Sequence, residues 1–190
     1  MKNTVEKYGK PGQSLYSPES KLLDFGCGTG LLGLELQKVG YTKNIFGIDG
    51  SSEMLERARG KGIYKQTWEV LVGTTPIPEE VLYKPEVEGS GFDALFSSAC
   101  MLKGHFPNTC YEQFLKCLKP GGLMVFSIKD VYLNPETDSG MNFVGKLAEL
   151  EAAGKMVNVD TVHYTKYEGL QLGASYQEEG ANVKIYKKLA

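Results

Sequence analysis

The run Asp24-Phe25-Gly26-Cys27-Gly28-Thr29-Gly30 constrains this chain more than any other segment. It continues a short apolar stretch, Leu22-Leu23, that reads as a buried strand. An amphipathic helix is expected after it, from Leu31 to Val39, with Leu32, Leu36 and Val39 on one face. Glycine at alternate positions lets the chain turn tightly and lets a ligand approach the backbone. The following helix offers its free N–H groups to the same space. Asp24, at the strand end, can accept a hydrogen bond from a cationic or hydroxyl-bearing ligand. A ligand-free turn from strand to helix does not need three alternating glycines.

The rest of the chain repeats the alternation. Ile45-Phe46-Gly47-Ile48-Asp49 reads as a second strand ending in an acid, and Ser52–Lys61 as a helix with Glu53 and Arg57 paired at i,i+4. Strands are expected at 65–72, Phe92–Ser97 and Leu123–Ile128, with 73–91 a proline-containing loop. Thr109 with Glu112 spells a capping box that opens a helix carrying Cys110, Phe114, Cys117 and Leu118. Lys119-Pro120-Gly121-Gly122 reads as a turn. Phe143, Leu147 and Leu150 form the apolar stripe of another helix, stopped by Gly154. Residues 157–167 and 182–189 alternate apolar and polar side chains around a turn-rich segment, which suggests an antiparallel pair at the end of the sheet. Residues 1–20 read as an arm and 21–190 as one α/β domain with a mostly parallel sheet covered on both faces. In such folds ligands bind beyond the carboxyl ends of the strands. The informative residues fall there: Asp24 to Gly30, Asp49 to Ser51, Val70 to Thr74 and Ser97 to His105.

Gly28-Thr29-Gly30-Leu31-Leu32-Gly33 is a literal G-x-G-x-x-G, the dinucleotide pattern. In that pattern the first glycine directly follows the strand. Here an acid and an earlier glycine intervene, which favours an S-adenosylmethionine (SAM)-type site. Asp49, 19 positions after Gly30, can hold two ribose hydroxyls, or cap the next helix with Ser51 or Ser52, or do both. SAM and NAD both carry ribose, so Asp49 does not separate them. No tyrosine in the body of the domain has a lysine four positions on, so an oxidoreductase constellation is missing. His105, in Leu102-Lys103-Gly104-His105-Phe106-Pro107, stands where a proton acceptor is wanted, or else fixes its own loop. His163 reads as structural or surface. Tyr64 and Trp68 read as core more readily than as ligand-stacking aromatics.

Composition removes other classes. Net charge is −2 and Arg57 and Arg59 are the only arginines, so the basic footprint of a nucleic-acid binder is missing. Cys27, Cys100, Cys110 and Cys117 contain no C-x-x-C pair and only two histidines exist; no metal site is expected. The start lacks a signal peptide and no apolar run has the length of a membrane span. A cytoplasmic protein is the expectation.

Four stretches together resemble class I SAM-dependent methyltransferases. Leu22 to Gly30 resembles their first motif, and Gly47-Ile48-Asp49-Gly50-Ser51 with Met54-Leu55 their second. Phe92-Asp93-Ala94-Leu95 resembles the fourth-strand motif, and Leu118-Lys119-Pro120-Gly121-Gly122 the turn before strand five. Gly104-His105-Phe106-Pro107 adds a narrower likeness to the methyltransferase-like protein 27 subfamily. The resemblance implies a Rossmann-like, seven-stranded sheet with a reversed last strand, and SAM as cofactor. It implies that Gly26, Gly28 and Gly30 lie along the methionine and ribose and that Asp49 holds the ribose hydroxyls, with Asp24, Cys27 and Gly50 in the same cofactor site. Val70, Leu71 and Val72 would flank adenine, and Ser98 to Met101 would line the methyl donor. Val72-Gly73-Thr74 departs from the family by offering no acidic or amide side chain for the adenine. Only about 20 residues precede the first motif, short of the usual helical lid. The implied activity is SAM-dependent methyl transfer, and a small-molecule acceptor is expected because no basic surface signal for nucleic acid stands out. The rival is an inactive methyltransferase-like subunit, with a protein partner covering the place of the lid.

Overall fold

The structure, a computed structural model, describes residues 17, 19–41, 43–164 and 180–190. Of the expected arm over 1–20, residues 1–16 and 18 lie outside the described residues, as does the turn-rich segment over 165–179. Seven strands form one sheet: β1 (Leu22–Phe25), β2 (Ile45–Asp49), β3 (Gln66–Glu69), β4 (Phe92–Met101), β5 (Leu118–Lys129), β6 (Met156–Tyr164) and β7 (Ala181–Lys188). Among the described residues four α-helices accompany them, α1 (Leu31–Lys38), α2 (Ser52–Arg59), α3 (Cys110–Cys117) and α4 (Phe143–Ala152), with a 3-10 turn at Asp130–Tyr132.

The strand order is β3-β2-β1-β4-β5-β7-β6. All pairs from β3 to β5 are parallel, while β7 runs antiparallel to both β5 and β6. The sheet is therefore mostly parallel with its last strand reversed, as expected. A strand buried on both faces reads as a continuous apolar run. All four residues of β1 are buried, and it lies centrally. Leu22 packs with Leu36, Ile45, Phe96 and Val125 on one face. Leu23 and Phe25 pack with Phe114, Tyr111, Phe126 and Phe143 on the other. Period-two alternation thus splits β1 between two cores and puts Asp24 on the Leu22 face. The chain leaves β1 in one direction to β2 and the other to β4, and this reversal opens the crevice at the carboxyl edge.

Three expectations need correction. Thr109 makes no side-chain cap: its backbone is already helical (φ −65°, ψ −14°). Glu112 is drawn instead to Lys146, 2.7 Å away on α4. The segment Lys119-Pro120-Gly121-Gly122 is not a free turn but the irregular start of β5, because Leu118 pairs with Phe92 before the register shifts. Strand β3 is shorter than 65–72, since Val70 and Val72 turn into the core beyond it. The Glu53–Arg57 pair forms at 2.6 Å. All four cysteines are buried free thiols. No helix among the described residues is long and apolar enough to cross a membrane.

Candidate SAM site

The β1–α1 turn is held by the strand next to it. The N–H groups of Gly26 and Cys27 both donate to the Ile48 carbonyl, at 2.8 and 2.9 Å. Gly26, Gly28 and Gly30 take φ of +73°, +52° and +89°, a region costly for other residues. Each glycine has a different surrounding. A Cβ on Gly26 would lie 2.4 Å from Cys100 Sγ, and one on Gly30 3.1 Å from the Tyr64 ring. A Cβ on Gly28 would meet nothing within 4 Å. Gly26 and Gly30 therefore permit close packing, whereas Gly28 faces open space and forms the floor of the cradle.

Asp49 ends β2 beside this floor. Its Oδ2 accepts the Gly28 N–H at 2.8 Å and its Oδ1 accepts the Ser51 N–H at 2.9 Å. One carboxylate thus ties the turn after β1 to the turn after β2. The side-chain cap of α2 is Ser51, whose hydroxyl accepts from the Met54 N–H at 3.3 Å. Each Asp49 oxygen keeps a lone pair for a further donor.

Asp24 is only 1% exposed. Its Oδ2 accepts a 2.7 Å hydrogen bond from the Tyr64 hydroxyl, and its buried Oδ1 has no partner among the described residues. Burial pushes this carboxyl up to about 7; the Tyr64 hydrogen bond opposes the rise and the nearby Asp49 charge adds to it. A buried carboxylate with one vacant oxygen is costly unless a donor or a cation meets it. The chemistry it lacks is that of an ammonium or similar group. Burial and the same two acids raise the Cys27 thiol, and burial first raises Cys100 to about 11. Neither thiol is built for nucleophilic work.

The remaining expected residues line the same edge with different faces. Gly50 lies under Leu71, 3.2 Å from a Cβ position to Leu71 Cδ1, and Leu71 is 57% exposed. Val72 is 3% and Cys27 5% exposed, so both side chains are turned into the core. Ser98 is exposed within β4, where the pairing with β5 shifts register. Ala99 after it is held at φ +58° while its N–H donates to Ser127 Oγ at 2.9 Å. Such a conformation is strained for alanine. His105 is exposed and its N–H donates to the Leu102 carbonyl at 3.1 Å. Its ring has no hydrogen-bond partner among the described residues, so the structure does not join it to the cradle. No metal-holding group of acids, cysteines and histidines occurs among the described residues.

Two site residues escape sequence reasoning. Tyr64 bonds Asp24 rather than filling core alone. Gln113, on α3, accepts the Gly73 N–H at 2.6 Å and donates to the Thr75 carbonyl at 2.9 Å. The backbone donor that Gly73 offered to a ligand base is thus engaged by Gln113. Trp68 stacks on Phe46 and donates to Glu80.

The family described as a methyltransferase domain matches residues 17–180. The chain belongs to that family. Methyltransferase-like protein 27 of Homo sapiens is 33% identical over 138 residues, covering 72% of this chain and 51% of that protein. The chain therefore spans about half the length of that relative. A SAM-dependent methyltransferase from Mesorhizobium loti superposes with a TM-score of 0.59 at 15% identity, covering 89% of this chain and 91% of its own. SpnF, a 4+2 cyclase, superposes with a TM-score of 0.65 at 16% identity, over 99% of this chain and 79% of its own. The structural likenesses show a common fold, and the cyclase shows that this fold also serves another reaction.

Proposed function

We propose that this chain binds SAM at the carboxyl edge and transfers its methyl group to a small-molecule acceptor. The observation that carries the reading is the buried Oδ1 of Asp24, without a partner among the described residues, at the end of the strand whose turn leaves Gly28 facing open space. Asp24 fits a cationic amino group, with Tyr64 fixing the carboxyl plane from the other side. Asp49 fits the ribose hydroxyls through its spare lone pairs. Gly26, Gly28, Gly30 and Cys27 fit the methionine and ribose through backbone, and Gly50, Leu71 and Val72 fit the adenine. Ser98 to Met101 fit the donor end. SAM itself supplies an activated methyl group on a sulfonium sulfur.

The protein's contribution is position. Methyl transfer is an in-line displacement, and holding two reactants in line removes much of the entropic barrier. The Asp49 tether and the Ala99 strain both fix backbone next to the reacting space. A nucleophile that arrives protonated needs a proton acceptor, and His105 is one candidate on this edge. Net charge and the scarcity of arginine support a small molecule over a nucleic acid.

Isothermal titration of the purified chain with SAM and with S-adenosylhomocysteine tests the reading. Micromolar binding is expected, with a loss of at least about tenfold in Asp49→Ala, which also strands two backbone donors. A folded sample that binds neither compound would overturn it, as would unchanged affinity in Asp49→Ala for the ribose assignment.

A further inference from the structure

At the amino edge of the sheet, opposite the cradle, the last turn of α3 meets the start of β6 and the end of β7. A cavity of about 270 Å³ opens there. It is lined by Glu112, Leu115 and Lys116 of α3, by Lys155 just before β6, by Lys188 at the end of β7, and by Ala190. The topology accounts for the gathering. Helix α3 returns the chain from the carboxyl edge to the amino edge, where Leu118 opens β5. Strand β7 is reversed, so it ends where β6 begins: Met156 pairs with Lys188, and the Leu189 N–H donates to the Lys155 carbonyl at 3.0 Å. Three lysines far apart in the sequence thus share one wall.

Their charge is not balanced within that wall. Lys116 and Lys155 make no ion pair among the described residues. Lys188 is partly buried. Its Nζ donates to the Leu118 carbonyl at 2.7 Å and lies 5.1 Å from the centre of the Tyr83 ring. A carbonyl and a ring face hold an ammonium in place without cancelling its charge. Burial lowers the Lys188 ammonium from the ordinary lysine range, with nearby Cys117 opposing. Glu112 is the acid of the wall, and Lys146 on α4 meets its carboxylate at 2.7 Å. Lys116 also stands in the last turn of α3, whose free carbonyls amount to roughly half a negative charge. Three ammonium groups therefore face a glutamate shared with Lys146 and a fraction of a charge from the helix. The chain as a whole carries a net charge of −2, so this positive excess is local.

The wall also decides what kind of anion fits. Lysine presents a compact point charge rather than a planar fork, so it reads charge more than shape. Leu115, 7% exposed, and the lysine stems give the cavity an apolar floor. Ligand pockets for drug-sized molecules run from about 300 Å³ upward, so this one suits a compact anion over a nucleotide. We propose that the cavity binds a compact anion with two or more negative charges, of pyrophosphate or tricarboxylate size, independently of the cofactor cradle. A single carboxylate meets one exposed ammonium at a time, and such a pair contributes little. A multivalent anion engages several ammonium groups in one binding event, so each further contact is intramolecular.

Isothermal titration of the full chain with pyrophosphate, citrate and acetate, in metal-free buffer of low ionic strength where screening is weak, tests the proposal. Pyrophosphate or citrate should bind at one equivalent, at least about tenfold more tightly than acetate. A preference for pyrophosphate would mark a phosphate ligand, and one for citrate a carboxylate ligand. Lys188→Met, which keeps the stem and removes the charge, should weaken binding about tenfold. Lys116→Gln alters an exposed side chain without disturbing the fold, and should weaken it about threefold or more. Lys38→Gln, on α1 across the sheet, should change nothing. The proposal is overturned by a wild-type protein with no saturable anion binding, or by affinity that survives both Lys116→Gln and Lys188→Met. An equal loss in Lys38→Gln would overturn it too, as the mark of attraction to the whole surface. So would displacement of pyrophosphate by excess SAM, which would put the anion in the cradle.

Discussion

Asp24→Asn should make the ligand-free protein more stable at about pH 8 while weakening SAM binding. The argument starts from burial. The folded carboxyl titrates at about 7 against an ordinary value of 3.8. Between those values the native state holds a proton that the unfolded chain has released. Stability from this group is therefore lost as pH rises from about 4 to about 7, and is level above that. The difference, 7 − 3.8, is about 3 units, or about 4 kcal/mol as an upper bound at 1.36 kcal/mol per unit. Structural relaxation around the carboxylate lowers that figure, and the asparagine amide brings its own unpaired donor. A gain of about 2 kcal/mol at pH 8, shrinking toward zero near pH 5, is the working expectation. Urea unfolding followed by circular dichroism at both pH values, for wild type and variant, measures it. Other carboxylates titrate in both proteins, so the informative quantity is the difference between the two curves. Equal pH dependence in wild type and variant would refute the reasoning, as would a variant less stable by the same amount at both pH values. Binding has the opposite sign. An ammonium ligand prefers the ionised carboxyl, so wild-type SAM affinity should rise as pH climbs through about 7, and Asp24→Asn should flatten that rise.

Gly26→Ala should cost about 2–4 kcal/mol, because its Cβ meets Cys100 Sγ at 2.4 Å in a positive-φ conformation. Gly28→Ala should cost only about 1 kcal/mol, since its Cβ meets nothing, yet it should impair SAM binding more than stability; thermal melts beside calorimetry compare the two. Gln113→Ala should cost about 1–3 kcal/mol by stranding the Gly73 N–H and the Thr75 carbonyl, and faster amide exchange at Gly73 would report it. Thr109→Ala should stay within about 0.5 kcal/mol, and a loss of a full cap's worth, about 1 kcal/mol, would mean that its hydroxyl caps α3 after all.

The cradle was legible because its signals are local. An apolar run, alternating glycines and an acid at a strand end lie within a few residues, and Asp49 ends the next strand. Their backbone roles follow from φ and from strand order. Long-range partners left no such signal. Tyr64 reaches Asp24 across 40 positions and Gln113 reaches Gly73 across 40, and both identities look like ordinary core or surface. The T-x-x-E pattern at Thr109 misled because Lys146, 34 positions beyond Glu112, competes for its carboxylate. His163 and Asn182 come from β6 and β7 and Asp130 from the turn after β5, and only the reversal of β7 brings them together. Read as single residues, they look like a surface histidine, a loop acid and a strand amide.

The Asp49 tether has a consequence for how the fold can change over time. One carboxylate receives an N–H from each of two turns that are 21 and 2 positions away. Neither turn can shift without breaking a bond that positions the other. Insertions in one would misplace the other, so the two segments must vary together or not at all. A ligand arriving at this edge meets a surface already assembled, and little of its binding free energy is lost to ordering the chain. Selectivity for the acceptor must then be written elsewhere, in the loops that hang free of this knot.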